Sequence, residues 1–297
     1  MKRFCLIVFM FFISFQIIYC SGYSGLKLFS GVKSTALGEN LASLPNNAEN
    51  IYYNPAGLVG VSPFEIKLMY LSWLADINRS DVILVKSSKN GSVIGISASY
   101  LWTQLESDTG SFNYFSLLNE IAYAKKFEKL YIGIGTTIAY EGTSLESSYN
   151  LAAGLNFGII LRKQRLNLGL SVKNLGQSFI SITDNKEVMP ANLNFGLSYI
   201  MANNSVLVGN IKYELDGNIS SHLGLEWPIY KGIKEDIVIR VGNVMKLNNT
   251  TNDLEPISNF RFGAGFRKEG LSVDYCLIPL GNDIGMFHYV SLGFMFY

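Results

Sequence analysis

Charge is scarce in this chain of 297 residues. Asp, Glu, Lys and Arg make up 16% of it, against about a quarter in ordinary soluble domains. The charges that exist cancel, 24 basic against 23 acidic, for a formal net charge of +1. With no basic field to attract phosphates, nucleic acid is excluded as a partner. Long apolar runs are scarcer still. One exists, from Phe4 to Ile18, so the chain does not read as a bundle of membrane helices, each of which needs about 20 apolar residues. Proline is low at 7, cysteine at 3 and histidine at 2. What is abundant is glycine (28) and aromatic residues, with 17 Tyr and 19 Phe. That aromatic content, with so little charge, excludes a disordered chain.

The single apolar run follows Lys2 and Arg3 and precedes Tyr19-Cys20-Ser21-Gly22. A basic start, an apolar stretch and small residues make a secretory signal peptide over residues 1–22. Cleavage takes Lys2 and Arg3 away and moves the formal net charge from +1 to −1. Cys5 and Cys20 leave too, so Cys276 stands alone in the exported chain. No disulfide framework and no thiolate metal site follow from one cysteine.

Residues 23–62 carry no strand alternation and are broken by turn formers, notably Asn54-Pro55-Ala56-Gly57. From 63 to 297 one pattern repeats: apolar residues alternate with small or polar ones, then turn residues follow. Leu166-Asn167-Leu168-Gly169-Leu170-Ser171-Val172 and Phe260-Arg261-Phe262-Gly263-Ala264-Gly265-Phe266-Arg267 are clean examples. Period-two alternation means strands with one apolar face. About fourteen are expected, starting near Pro63, Arg79, Ser92, Leu117, Leu130, Tyr149, Gln164, Ala191, Ser205, Ile219, Glu235, Asn259, Gly270 and Met286. The polar stretches near 103–116, 176–190 and 246–258 read as loops.

A soluble sandwich and a membrane barrel both alternate. The strands here average about 10 residues, enough to cross a bilayer at a tilt. The second face is mostly Gly, Ser, Asn and Ala, as a crowded lumen requires. Trp73, Trp102, Tyr140, Tyr199, Tyr213, Trp227, Tyr230 and Tyr289 fall near strand ends, as in interfacial aromatic girdles. Phe294, Phe296 and Tyr297 make an aromatic terminal strand of the kind read as an insertion signal. The fold class is therefore all-β: a transmembrane antiparallel β-barrel of about fourteen strands over 63–297, with 23–62 as an N-terminal hatch or plug. A soluble exported β protein is the competing reading. Strand charges at Lys212, Arg240, Arg261, Arg267 and Asp274, with Asp81, Glu120 and Glu226, are expected to line the lumen as salt-bridge ladders.

In order along the chain, several segments resemble the PorV/PorQ family of outer-membrane proteins. They are Ala36-Leu37-Gly38, Asn54-Pro55-Ala56-Gly57-Leu58, Trp73-Leu74-Ala75-Asp76-Ile77, Val172-Lys173-Asn174-Leu175-Gly176, Phe262-Gly263-Ala264-Gly265-Phe266-Arg267, Val273-Asp274-Tyr275 and the run His288-Tyr289-Val290-Ser291-Leu292-Gly293-Phe294. The chain departs from the family pattern at Glu39-Asn40 and Asn46-Asn47. The resemblance implies a FadL-like barrel whose hatch carries Asn54, Pro55, Ala56 and Gly57. It implies a Gram-negative outer membrane, with lipid and the barrel-insertion machinery as partners. Two functions follow from it. One is docking or shuttling of exported cargo with type IX secretion components. The other is FadL-like transport of hydrophobic small molecules, with fatty-acid-like ligands.

Enzymatic chemistry has no footing in the sequence. His222 and His288 have no second His or Cys nearby, no phosphate-binding or zinc spacing occurs, and no cofactor is implied. Asp274 and His288 fall on neighbouring strands, as any such pair would.

Overall fold

The computed structural model describes residues 23–107, 110–144, 149–181, 186–232, 234–248, 256–281 and 284–297. The expected signal peptide lies outside these residues. Fourteen strands form a closed barrel in which each pairs antiparallel with its sequence neighbours. They are β1 (Phe64–Ser72), β2 (Asn78–Ser87), β3 (Ser92–Ser107), β4 (Gly110–Phe127), β5 (Leu130–Thr143), β6 (Tyr149–Lys163) and β7 (Leu166–Ile180) in the first half. The second half is β8 (Asn192–Ile200), β9 (Val206–Glu214), β10 (Ile219–Lys231), β11 (Glu235–Lys246), β12 (Phe260–Lys268), β13 (Leu271–Gly281) and β14 (Gly285–Phe296). The sheet closes where β14 pairs with β1, from Phe64 opposite Phe296 to Ser72 opposite His288. Closure leaves no edge, so every strand finds its ladder partners inside the protein, which a lipid environment demands.

The alternation fixes which face is which. Ile94, Ile96, Ile121, Ile134, Phe157, Ile159, Phe195 and Ile211 point outward and are half exposed. Their neighbours in sequence, such as Gly95, Ala122 and Gly158, point inward. An exterior of unbroken Leu, Ile, Val and Phe is untenable in water and costless against lipid tails. No helix among the described residues is long and apolar enough to cross a membrane. Connections at one end, where β1 starts and β14 finishes, span two to five residues. The opposite end carries the longest ones, 181–191 and 247–259. Short turns on one side and longer loops on the other are the habit of outer-membrane barrels.

The structure corrects several expectations. Residues 103–116 do not form a loop: β3 runs to Ser107 and β4 begins at Gly110, as an extended hairpin. Its outer end is polar because it projects beyond the apolar belt, so the alternation fades while the pairing continues from Ser107 opposite Gly110. Residues 176–180 likewise belong to β7. Two aromatics assigned to the girdle are interior. Tyr289 is fully buried in the lumen, and Trp73 packs edge-on against Phe29 at 4.8 Å between ring centres. Tyr289 occupies an inward position of β14, and Trp73 directly follows β1, where its ring meets the lumen segment. The remaining six lie on the outer face, with Trp102 stacked on Tyr100 at 5.4 Å and Tyr140 against Tyr149 at 5.1 Å.

Residues 23–62 run inside the barrel. They contain one short helix, α1 (Val32–Ala36), and 3-10 turns at Ala48–Tyr52 and Pro55–Leu58. α1 packs on β11–β14, and the Pro55–Leu58 turn packs on β4–β6. Val32, Leu37, Leu41, Ile51 and Leu58 are fully buried.

Candidate functional site

The lumen segment follows a track of wall glycines. A Cβ on Gly133 would strike the backbone of Pro55 and Ala56, and one on Gly158 would strike the side chain of Asn54. One on Gly169 would strike Ala42 and Ser43, and one on Gly224 or Gly242 would strike Leu37. The small inward residues that look in sequence like crowding relief are the seat on which a backbone lies.

Asn54 pins the centre of the segment. Its side chain caps the Pro55–Leu58 turn by accepting from Ala56 N at 3.0 Å, and Pro55 occupies the first turn position, where no N–H is needed. Its amide also donates to Ala42 O at 2.6 Å and reaches Ile159 O at 3.3 Å and Leu170 O at 3.4 Å. Ala56 and Gly57 are buried beside it, and Asn50 Nδ2 donates to Leu44 O and Gly57 O. The four residues of the expected hatch motif thus tie the segment to itself and to β6 and β7.

Six charges close a ring between segment and wall. Glu49, fully buried, takes Lys67 Nζ at 2.7 Å. Lys67 reaches Asp274 at 3.3 Å, Asp274 takes Arg240 at 2.8 Å, and Arg240 takes Glu226 at 2.7 Å. Glu226 takes Lys33 at 2.9 Å. The backbone N–H groups of Lys33 and Ser34 then donate back to Glu49 at 3.2 and 2.9 Å. Three acids balance three bases. Lys33 and Glu49 belong to the segment, while Lys67, Glu226, Arg240 and Asp274 belong to β1, β10, β11 and β13. Burial pulls the Lys33 ammonium below the usual lysine range, with Glu226 opposing and Arg240 and Arg267 assisting.

Arg240 and Asp274 are therefore members of this ring. The other three candidates are not in the ring. Lys212 pairs with Glu214 at 2.7 Å. Arg261 donates to the carbonyls of Ser258 and Phe260. Arg267 is exposed to water in a cleft of about 230 Å³ beside Lys33 and Asp274. Neither arginine makes an ion pair among the described residues: Arg261 lies opposite Gly242, and Arg267 lies between Asp236 of β11 and Ser272 of β13 in register without closing a bridge to Asp236.

A second cluster lies on β2 and β3. Asp81 takes Arg79 at 2.8 Å, Tyr289 Oη at 2.9 Å and the hydroxyl of Ser99, and Tyr289 Oη in turn accepts from Gly31 N at 3.0 Å. A third pairs Lys173 of β7 with Glu120 of β4, and Lys173 also donates to Ile51 O at 2.7 Å. Tyr52 and Tyr53, half-buried in the lumen segment, have phenols held above the ordinary range, by burial first and then by the carboxylates of Asp81 and Glu39 respectively. Sequence alone missed Glu49, Lys67, Lys33 and Tyr289. Their only signal was a charge or a phenol at an inward position of a strand, or inside a segment without alternation.

The histidines do separate things. His222 is buried, with Nδ1 at 2.7 Å from Gly38 O and Nε2 at 2.8 Å from Ser220 Oγ. His288 faces outward against Tyr275 Oη at 2.6 Å. Asp274 faces inward, so the two neighbours in sheet order sit on opposite faces. Phe294 and Phe296 lie on the lipid face, and Tyr297 is exposed.

No family model matches the sequence, and no curated protein does. Solved structures do. The CymD monoaromatic hydrocarbon channel superposes with a TM-score of 0.65 at 12% identity, over 90% of this chain and 97% of that one. A Pseudomonas aeruginosa FadL homologue gives 0.61 at 10% identity, over 90% and 98%. The Pseudomonas putida toluene transporter TodX gives 0.58 at 12% identity, over 94% and 98%. The fold is FadL-like. At these identities the likeness shows the fold alone.

Proposed function

We propose that this FadL-like barrel sits in the outer membrane of a Gram-negative bacterium and passes hydrophobic small molecules through a lumen gated by residues 23–62. The observation that carries this reading is the barrel shared with a monoaromatic hydrocarbon channel, a toluene transporter and a FadL homologue. The short-turn end faces the periplasm and the longer loops face outward, after removal of the signal peptide. Phe294, Phe296 and Tyr297 serve as the insertion signal. Asn54, Pro55, Ala56 and Gly57 form the hinge-side anchor of the hatch. Arg240 and Asp274, with their ring partners, latch it, while Lys212, Arg261 and Arg267 set the polarity of the lumen around it.

An apolar cluster supports the reading. At the long-loop end Trp73 packs on Phe29 and on Phe287, at 4.8 and 4.7 Å between ring centres, with Leu28 and Leu74 beside them. This gives an apolar solute a first contact before the hatch. The role of docking exported cargo with type IX components, implied by the PorV/PorQ resemblance, draws no support from these relatives. The protein needs no catalytic residue or cofactor for passive transport.

The test is uptake. Bacteria lacking their own hydrocarbon channels, with this protein in the outer membrane, are expected to accumulate radiolabelled toluene or oleate faster than controls carrying an unrelated barrel. Equal uptake, together with co-purification of exported proteins and secretion components, would overturn the transport reading.

A further inference from the structure

The short-turn rim is divided in charge. Along the arc from β10 to β13 its bases are faced by acids: Lys234 lies 2.8 Å from Glu269, Lys268 lies 3.7 Å from Glu235, and Lys231 and Arg267 both lie opposite Asp236 in register, without an ion pair among the described residues. Along the arc from β2 to β7 they are not. Lys86, Lys125 and Lys163 end three outward columns, and Lys89, Lys129 and Arg165 occupy the adjoining turns. None of the six makes an ion pair among the described residues. The one acid in that arc is Glu128.

The three column lysines are on the lipid face. Lys86 continues Val82 and Leu84, Lys125 continues Ile121 and Tyr123, and Lys163 continues Ile159 and Leu161. In register Lys86 lies between Phe64 of β1 and Ile94 of β3, both apolar and both outward. Lys125 lies with its Nζ 5.5 Å from the centre of the Phe127 ring. Each column is two strands from the next, about 10 Å along the rim. Below Lys86 a shallow groove of about 510 Å³ opens on the outer wall, lined by Phe64, Leu84, Ile94 and Ile96. A base at the polar end of an apolar groove, at the depth where strands leave the hydrocarbon, matches a phosphate at the head of an acyl chain. An acidic protein in water would not reach lysines that sit among lipid-facing side chains.

We propose that the β2–β7 arc of the short-turn rim binds anionic phospholipid of the adjoining leaflet. Lys86, Lys125 and Lys163 take the headgroup phosphates, the turn bases add attraction, and an acyl chain lies in the groove below Lys86. The inference holds whatever the lumen carries. The arc from β10 to β13, its bases faced by acids, has no such preference, so the barrel gathers anionic lipid on one side.

The full-length exported protein, purified in mild detergent, is mixed with equal amounts of phosphatidylglycerol and phosphatidylethanolamine of matched acyl chains, and its bound lipids are counted by native mass spectrometry. Wild type is expected to retain phosphatidylglycerol in excess. A variant carrying Lys86→Gln, Lys125→Gln and Lys163→Gln is expected to lose most of that preference, about five-fold for each base near an anionic surface at most. Lys234→Gln with Lys268→Gln is expected to leave it unchanged. Heat-modifiable gel mobility reports that each variant is folded. No preference in wild type, or a preference kept by the folded triple variant, overturns the proposal. So does binding of a poly-glutamate peptide lost on substituting Lys89, Lys129 and Arg165 without any lipid preference, which would make the arc a protein-docking surface.

Discussion

Glu49 and Lys67 meet at 2.7 Å, and the same carboxylate also accepts the N–H groups of Lys33 and Ser34. One buried side chain of the lumen segment therefore caps α1 and grips the β1 wall at once. Lys67 extends the grip to Asp274. The segment is held to the barrel by balanced charge, with apolar packing around it. Such a contact adds little net stability over apolar packing, yet it is costly to break on one side only.

Lys67→Met should therefore release the segment. It leaves Glu49 and Asp274 buried with one partner fewer, at a cost of about 3–5 kcal/mol. Planar-bilayer recordings are expected to show higher open probability than wild type, with the barrel still heat-modifiable. Lys67→Met combined with Glu49→Leu removes both charges and should recover part of the closure. A double variant that is as open as the single one would argue against the latch.

Gly169→Leu should unseat the segment by a different route. The new side chain falls where Ala42 and Ser43 lie, and backbone cannot yield as a flexible side-chain tip would. Limited proteolysis is expected to cut between residues 23 and 62 in this variant while the strands resist. Gly110→Leu is the comparison for a glycine with open space around it, although its φ of 128° adds local strain.

Asn54→Ala removes a cap and three further donor contacts. The cap alone is worth about 1 kcal/mol, and the carbonyls left without a partner add a similar amount. Hydrogen exchange should quicken at residues 54–59 and stay unchanged in β12–β14. Uniform slow exchange throughout would mean that the anchor lies elsewhere.

Ile121→Arg tests the lipid-facing side of the wall. Ile121 lies opposite Ile96 and points outward. An arginine there should cost about 2–4 kcal/mol if the position is near the bilayer midplane. The readout is the denaturant midpoint for refolding into vesicles. Thr137→Ser, on the inner face, should leave that midpoint within the error of measurement.

The alternation placed thirteen of the fourteen strand starts within two residues, because the lipid face repeats the same physical demand along every strand. The exception was β4. Its first turn projects from the belt, where neither lipid nor lumen imposes a pattern, so Gly110 to Ser116 read as loop. Turn residues marked the short connections for the same reason that they form them. Asn54-Pro55-Ala56-Gly57 was legible as a punctuated turn, and the structure supplies its wall partners on β6 and β7.

The charges were half legible. Arg240 and Asp274 stood out as bases and acids at inward positions. Their partners did not, since Glu49 and Lys33 come from a segment with no periodicity, far away in sequence. Aromatic side chains misled in the same way. Trp73 and Tyr289 lie near strand ends like the girdle residues, but which face a ring takes depends on the parity of its strand and on what fills the lumen.

The sequence by itself determined the barrel, because solvent chemistry imprints a period of two on every membrane strand and a closed sheet is the only way to satisfy the backbone between them. It also determined that the inner face is small and sparsely charged. The tertiary structure decided what that face is for. Only closure of the sheet brings Lys67, Glu226, Arg240 and Asp274 from four strands around one helix end, and only the path of the lumen segment turns separate glycines into a track. Those relationships depend on distance across the lumen, which no local pattern of residues encodes.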